Sequence, residues 1–221
     1  DDPIATHLQI EAMKLALRDA ESYVADLDHM NDVTVDNLLD DTYLATRARE
    51  IRMDEATNFG AGAPKHGGTV YLTAADASGM MVSFFLSNYA GFGSGVGVPG
   101  TGVALQNRGA GFSLDPGHQN HVGPNKRPFH TIIPGFLMGA KGPLMSFGVM
   151  GGPMQAQGHV QMVLRTQLFG QDPQMAVDAP RWRVTDGLGV ACETTMPDAT
   201  LDKLRSMGHQ ITLEAPDNAF G

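Results

Sequence analysis

Apolar and polar positions in the first quarter of the chain follow the period of an α-helix. Apolar residues fall three or four positions apart between residues 3 and 26, which predicts an amphipathic helix there. A second helix is predicted after Thr34, whose hydroxyl can cap the first turn, and its apolar positions continue to Ile51. Residues 55–68 are small and rich in glycine, which indicates an exposed linker after these helices.

Beyond the linker the pattern changes to that of strands. Residues 69–75 and 80–87 are typical of strands, and residues 76–79 between them have the composition of a turn in which Gly79 takes a positive φ. Further along, the pattern predicts a buried strand, two helices and a final strand, at residues 143–150, 156–169, 198–207 and 210–214. Two helices, a linker and then strands and helices in mixed order favour an α+β layered architecture.

Composition excludes several classes of function. The chain has 221 residues, of which 42% are apolar and 18% charged, and this balance is typical of an ordered globular protein. A net charge of −9 without a run of Lys or Arg argues against nucleic-acid binding. No apolar stretch reaches the length of a membrane span. Cys192 is the only cysteine, so an internal disulfide framework is excluded and the compartment is left open.

The ends of the chain indicate a fragment or a processed piece. It starts at Asp1 rather than at a methionine, so any export signal would lie outside it. The pattern does not indicate an oligomeric state. Neither a metal site nor an organic cofactor is predicted, because His118, His121 and His130 lack helical spacing and cysteine partners and are typical of solvated loop histidines.

One local feature can carry chemistry, the sequence Gly67-Gly68-Thr69 at the start of the first predicted strand. An N-terminal nucleophile needs a hydroxyl residue after an exposed peptide bond, because cleavage of that bond frees an α-amino group that can act as the general base. However, β-branched residues commonly begin strands. The spacing alone therefore leaves a structural and a catalytic interpretation of Thr69 open.

Several segments, in a fixed order, resemble the carboxy-terminal part of gamma-glutamyltransferase precursors. They are HLQIEAMKLALRDAESYVAD at 7–26, TVYLTAAD at 69–76, GFGSG at 91–95, GPNKRP at 123–128, MGG at 150–152 and AVDAPRWR at 176–183. The resemblance implies the N-terminal-nucleophile fold, an αββα sandwich of which this chain supplies the carboxy-terminal portion. It also implies autocleavage after Gly68, so residues 1–68 would end the large subunit and residues 69–221 would form a small subunit truncated at its C-terminus.

The same resemblance implies catalytic roles for five residues. Thr69 would be the nucleophile for self-cleavage and for acyl transfer. Thr73, on the same strand face, would hydrogen-bond near the new amino terminus, and Ser87 would point a second hydroxyl at the nucleophile. Gly151 and Gly152 would donate backbone N–H groups to the oxyanion of the tetrahedral intermediate, a role that needs close backbone approach without a side chain. A simple turn after a strand is the structural alternative for this glycine pair.

Departures from the family concern the residues implied to bind substrate. Gly111 takes the position of the acid that binds the substrate's α-amino group, Arg108 replaces an uncharged amide, and Tyr89 replaces an asparagine. His130 and Thr131 stand where paired serines grip the substrate carboxylate. A cation without the carboxylate repels an ammonium group. These changes are similar to the acylase branch and favour an acyl group that ends in a carboxylate and has no α-amino group.

The sequence therefore predicts an autoprocessing amidohydrolase or acyltransferase. Its substrate would be a small gamma-glutamyl amide, as in glutathione metabolism, or a glutaryl amide, as for cephalosporin acylases, and its partner would be the remainder of the large subunit. Neither nucleic acid nor a membrane is an expected partner. The competing hypothesis is a non-catalytic or unprocessed relative in which the fold acts as a scaffold.

Overall fold

The computed structural model describes residues 2–59, 68–216 and 218–221. Its α-helices are α1 (Pro3–Tyr23), α2 (Val35–Leu38), α3 (Asp41–Ala48), α4 (Met154–Val163), α5 (Pro173–Asp178) and α6 (Asp198–Ser206). Its strands are β1 (Gly68–Ala75), β2 (Met81–Tyr89), β3 (Gly97–Val98), β4 (Val103–Ala104), β5 (Gly135–Gly139), β6 (Gly142–Phe147), β7 (Trp182–Val184), β8 (Gly189–Glu193) and β9 (Gln210–Glu214).

Capping residues explain where the first helices begin. Asp2 accepts a hydrogen bond from the Ile4 N–H at the start of α1. Thr34 caps α2 as the sequence predicts, through a reciprocal pair of bonds with Asn37. The single helix predicted to Ile51 is wrong, however, because Asp40 takes an extended conformation and caps a separate helix, α3.

Contacts between Cα atoms divide the chain into two compact units. The first comprises the described residues of 1–63, 109–130 and 182–215. In it, α1 packs against α6 and β7, and the sheet order is β7-β8-β9, with β8 antiparallel to β7 and parallel to β9. Its buried apolar side chains include Ile10, Met13, Leu15, Trp182, Val190, Leu201, Leu204 and Met207.

The second unit comprises the described residues of 64–108, 131–181 and 216–221. Two antiparallel pairs, β1–β2 and β5–β6, form its strands, and β6 lies beside β2. A five-residue π-helical turn, Leu164–Leu168, extends α4. In the β1–β2 pair, apolar side chains of one face are exposed, namely Val70, Leu72, Val82, Phe84 and Leu86. Thr69, Tyr71 and Thr73 alternate with them and point to the opposite face.

Most long elements agree with the sequence prediction within two or three residues. The turn of residues 76–79 forms as expected, with Gly79 at a φ of +85°. Leu144 is 61% exposed, so the strand expected to be buried at 143–150 is in fact partly open. The linker of residues 55–68 falls largely on residues 60–67, outside the described residues. The subunit boundary after Gly68 therefore stays a prediction. No described helix has the length and apolar character needed to cross a membrane.

Candidate active site

The hydroxyl of Thr69 stands at the start of β1, opposite Ser87 of β2. Thr69 Oγ1 and Ser87 Oγ lie 3.0 Å apart, and both residues are half-buried. Ser87 Oγ also accepts a hydrogen bond of 3.0 Å from the backbone N–H of Tyr89. This second bond fixes Ser87. Because Ser87 is the direct partner of Thr69 in the register of β1 and β2, that register sets the position of the Thr69 hydroxyl.

Further hydroxyl pairs follow Thr69 along the same face. The Tyr71 hydroxyl lies 2.9 Å from Ser83 Oγ on β2. Thr73, which is exposed, forms a hydrogen bond with Ser146 of β6. Ser83 and Ser146 were not singled out from the sequence, although their alternation with apolar neighbours places them on this face. The structure therefore gives Thr73 a partner on β6, and its implied role near a new amino terminus stays a prediction.

Gly151 and Gly152 form a buried turn between β6 and α4. Their φ angles are +105° and +61°, values that L side chains rarely adopt. A Cβ on Gly151 would lie 2.9 Å from the Met154 Cβ, so packing as well as conformation requires glycine there. Neither backbone N–H of this pair donates a hydrogen bond to any residue in the described part of the chain. Two adjacent buried donors without an acceptor are suited to binding an oxyanion.

Arg108 is a buried cation beside the end of β2. Its side chain lies 4.4 Å from the centre of the Tyr89 ring, and its Nη1 donates a hydrogen bond of 2.7 Å to Thr131 Oγ1. The residue is 5% exposed, and no carboxylate among the described residues pairs with it. Burial lowers the pKa of Arg108. A buried guanidinium with only a hydroxyl and a ring as partners favours the binding of an anion.

The backbone ties Arg108 to the strand that carries Ser87. The Asn107 N–H donates to the Asn88 carbonyl over 3.1 Å, and the Ala90 N–H donates to Asn107 Oδ1 over 3.1 Å. Tyr89, between them, has a φ of +76°, which is uncommon for a non-glycine residue. These bonds fix the aromatic ring under the guanidinium.

Gly111 and His130 belong to the first unit, whereas Tyr89, Arg108 and Thr131 belong to the second. A Cβ on Gly111 would lie 2.6 Å from the backbone oxygen of Phe129, so this backbone leaves no room for the acid that the family resemblance implies at this position. His130 is exposed. The structure thus brings together three of the five residues implied to bind substrate, and the roles of all five stay predictions.

One group of described side chains has the composition of a metal site. His7, Glu11 and His209 are buried, and their ligand atoms lie within 4.8 Å of one another. This group was missed from the sequence because His209 lies about 200 residues from the other two. The spacing of His7 and Glu11, four positions apart in a predicted helix, was the one available signal.

Comparison with known proteins identifies the family of this chain. The gamma-glutamyltranspeptidase family matches residues 1–221. The chain is 36% identical, over 97% of its length, to an oxamate amidohydrolase proenzyme from Klebsiella pneumoniae subsp. pneumoniae, of which it covers 41%. It is 34% identical, over 93% of its length, to a glutathione hydrolase-like proenzyme from Bacillus subtilis, of which it covers 39%.

A solved structure agrees with the fold. The crystal structure of cephalosporin acylase from Bacillus halodurans superposes with a TM-score of 0.92 at 50% identity, over 100% of this chain and 40% of that one. The chain thus spans about two fifths of the length of these three relatives. The α+β fold of the N-terminal-nucleophile type, expected from the sequence, is confirmed. Taken together, the family match and the relatives show that this chain belongs to the gamma-glutamyltranspeptidase family.

Proposed function

We propose that this chain is part of an autoprocessing amidohydrolase or acyltransferase whose nucleophile is Thr69. The observation that carries the proposal is the 3.0 Å contact between Thr69 Oγ1 and Ser87 Oγ, at a strand start directly after Gly68. Self-cleavage requires a fixed hydroxyl on the residue that directly follows the peptide bond to be broken, which here is the Gly68–Thr69 bond. The proenzymes among the relatives support this interpretation.

Self-cleavage would proceed through an ester. Thr69 Oγ1 attacks the Gly68 carbonyl carbon, the C–N bond breaks, and the nitrogen takes up the proton that the hydroxyl loses. Water then hydrolyses the ester, which leaves a carboxylate on Gly68 and a free α-amino group on Thr69. That amine accepts the Thr69 hydroxyl proton in each later turnover, when the hydroxyl attacks the substrate amide.

The backbone N–H groups of Gly151 and Gly152 would hold the oxyanion that forms in both reactions. This role is supported by their surroundings: both N–H groups are buried and have no acceptor among the described residues, so a developing negative charge stabilises them. The acyl-enzyme is then resolved by water, which gives hydrolysis, or by an amine, which gives transfer.

The substrate we propose is an amide whose acyl group ends in a carboxylate and carries no α-ammonium group. Arg108 supports this choice, because its buried guanidinium pairs with no carboxylate in the described part of the chain and is therefore stabilised by an anion and destabilised by a cation. Gly111 supports it as well, because glycine stands where the family resemblance implies an acid that binds an ammonium group. The names of two relatives, oxamate amidohydrolase and cephalosporin acylase, are compatible with such acids.

Intact-mass measurement of the natural precursor that contains this chain tests the nucleophile. We expect two fragments divided between Gly68 and Thr69, and an uncleaved polypeptide for Thr69→Val, which keeps the β-branched shape without the hydroxyl. A wild-type precursor that stays whole after prolonged incubation would support the scaffold hypothesis instead.

Turnover of paired anilides tests the acyl group. We expect glutaryl and oxalyl anilides, which lack the α-amino group, to be cleaved with higher kcat/KM than gamma-glutamyl anilide. A preference for the gamma-glutamyl compound would overturn the proposed specificity and would leave the nucleophile unaffected.

A further inference from the structure

Residues 148–152 connect β6 with α4 without forming a strand or a helix. At their end lie Gly151 and Gly152, whose N–H groups are the proposed oxyanion donors. Because no ladder of backbone hydrogen bonds fixes this stretch, its position relative to Thr69 depends on the groups packed against it. We call residues 148–152 the donor segment.

The ring of Tyr71 lies directly against the first residue of the donor segment. A Cβ on Gly148 would lie 2.5 Å from Cδ2 and Cε2 of Tyr71 and 2.8 Å from Cζ of Phe85. Contacts this short are essentially never made by a Cβ, so only glycine allows the two rings to approach the backbone so closely. Gly148 does not have a positive φ. The need for glycine at this position therefore comes from the rings and not from the backbone conformation.

Tyr71 also belongs to the strand that carries the proposed nucleophile. It follows Thr69 by two residues on β1, so both side chains point to the same face. Its ring packs against that of its register partner Phe85, with centroids 4.7 Å apart. Ser83 Oγ donates to the Phe147 carbonyl over 3.3 Å, so the Tyr71 hydroxyl donates to Ser83 Oγ over 2.9 Å. Tyr71 is thus held at its ring and at its hydroxyl.

Two further close approaches fix the middle of the donor segment. A Cβ on Gly158 of α4 would lie 2.5 Å from Val149 Cγ1, and a Cβ on Gly221 would lie 2.9 Å from the Met150 carbonyl oxygen. The segment is therefore in tight contact with the β1–β2 rings at Gly148 and with other backbone at the next two residues. Since densely packed groups transmit strain, a displacement at Gly148 is passed along the segment.

The proposed mechanism makes the separation between β1 and the donor segment critical. The oxyanion forms on the carbonyl that Thr69 Oγ1 attacks, so the donors must lie about 2.7–3.1 Å from that oxygen while the hydroxyl stays within reach of the carbon. A misplacement of about 1 Å costs about 100-fold in rate. Tyr71 is two residues from Thr69 and contacts a residue three positions before Gly151, so its ring acts on this separation.

We infer that Tyr71 is a positioning residue, whose ring sets the separation between Thr69 and the oxyanion donors through its contact with Gly148. The inference rests on the catalytic function proposed above. The ring carries this role rather than the hydroxyl, because ring atoms make the close contact with Gly148, whereas the hydroxyl bonds Ser83. Removing the ring lets the donor segment approach β1, and adding a methyl group at Gly148 pushes it away. The two changes therefore displace the donors in opposite directions.

The test is the kinetics of the natural protein that contains this chain, after intact mass shows that self-cleavage is complete. With the anilide that wild type cleaves fastest, Tyr71→Leu should lower kcat about 10- to 100-fold and leave KM within about twofold, because groups that act in the transition state have moved. Tyr71→Phe keeps the ring and should retain kcat within about twofold of wild type. Gly148→Ala should lower kcat about tenfold.

The double variant Tyr71→Leu/Gly148→Ala is the decisive measurement. In it the Phe85 ring can move into the space that the Tyr71 ring leaves, so the added methyl group is accommodated and the donors return towards their original position. We expect its kcat to be at least about fivefold above that of Tyr71→Leu, instead of showing the product of the two single losses. Where a single variant cleaves too slowly to mature, self-cleavage rates of the precursors report the same compensation, since the same donors serve both reactions.

Gly135→Ala is the matched control. Gly135 also lies in the second unit without a positive φ, and a Cβ there would lie 2.7 Å from ring atoms of Phe147. That ring packs against His159, with centroids 4.9 Å apart. We expect Gly135→Ala to lower Tm about as much as Gly148→Ala does, because both changes overpack an aromatic ring, while its kcat stays within about twofold of wild type.

Three results would overturn the inference. Equal losses of kcat in Gly148→Ala and Gly135→Ala would mean that any clash in this unit disturbs turnover. A double variant that shows the product of the single losses would mean that Tyr71 and Gly148 act independently. Tyr71→Phe as slow as Tyr71→Leu would place the role in the hydroxyl. None of these results affects the nucleophile if wild type cleaves itself and Thr69→Val does not. A wild-type precursor that never cleaves removes the proposed function and this inference together.

Discussion

Thr69 Oγ1 and Ser87 Oγ lie 3.0 Å apart, and the serine is fixed in turn by the backbone N–H of Tyr89. The contact depends on the register of β1 and β2, in which these two residues are direct partners. The register of the two strands shifts between Gly68 and Thr69, at the bond proposed for cleavage. A break in the ladder there leaves the Gly68 carbonyl less constrained than a regular strand would.

The first prediction concerns Ser87. Ser87→Ala removes one hydroxyl partner of Thr69 and should slow self-cleavage and turnover about two- to tenfold, the effect of one neutral hydrogen bond. Thr69→Val should abolish both. Ser83→Ala is the control, because Ser83 bonds Tyr71 on the same face and does not contact Thr69. Equal effects of the two serine variants in a cleavage time course would argue against a specific role for Ser87.

A second prediction separates binding from stability at Arg108. Arg108→Met should raise KM for a carboxylate-bearing anilide roughly 10- to 100-fold, because a charged hydrogen-bonding partner of the substrate is lost. The same change should raise Tm, because it removes a buried cation that pairs with no carboxylate among the described residues. An uncharged acetyl anilide serves as the control substrate, with little change in KM. A lower Tm together with an unchanged KM would contradict the proposed role.

A third prediction concerns Gly111. Gly111→Asp introduces the acid that the family resemblance implies at this position, yet we expect it to destabilise the fold by about 1–3 kcal/mol without creating a preference for gamma-glutamyl anilide. The reason is the Phe129 carbonyl oxygen, which would lie 2.6 Å from the Cβ of any side chain at position 111. Thermal unfolding and paired anilide assays measure the two effects. Gly109→Asp is the control, because a Cβ there meets nothing within 4 Å.

A fourth prediction tests the glycine turn. Gly151→Ala should lower kcat at least tenfold, because the new Cβ meets Met154 at 2.9 Å and displaces the proposed N–H donors. Gly170→Ala is the control. Gly170 also has a positive φ, +66°, but open space around it. It should therefore show the cost of backbone strain alone, about 1–2 kcal/mol of stability, with normal kcat.

The sequence predicted the β1–β2 strand pair well for a physical reason. Residues 69–87 form a local hairpin, so period-2 alternation and the turn at Gly79 determine its register without distant contacts. Short strands such as β5 and β7 were missed, because their residues form strands only through pairing with β6 and β8.

Long-range polar clusters were not predictable in the same way. The residue types along α1 marked His7, Glu11 and Lys14 only as polar positions, and nothing local linked them to His209. These residues meet because α1 packs against α6, and His209 follows the end of α6. The Arg108–Tyr89 contact was similar: the family resemblance identified both residues as departures, but only the fold placed one over the other.

The last prediction concerns pH and stability. Burial, with the positive charge of Lys14 and the neighbouring His7, lowers the pKa of His209 to about 3, and Glu11 also faces this ring. Burial lowers the pKa of His159 to about 4. Histidines of the unfolded chain titrate near pH 6.5, so below that pH they bind protons that the same histidines do not bind in the folded protein. The contribution of these two histidines to the free energy of unfolding should therefore be fully present above pH 6.5 and fall as the pH drops towards 4.

The slope should reach about 1.4 kcal/mol per pH unit for each of the two histidines within this window. Urea unfolding of wild type and His209→Gln between pH 4 and 8 measures it. Glutamine does not titrate, so the variant should lose stability less steeply on acidification, and the difference between the two curves removes the contribution of carboxylates. Parallel curves would mean that His209 takes up a proton in the folded protein, which would require Glu11 rather than Lys14 to dominate its surroundings.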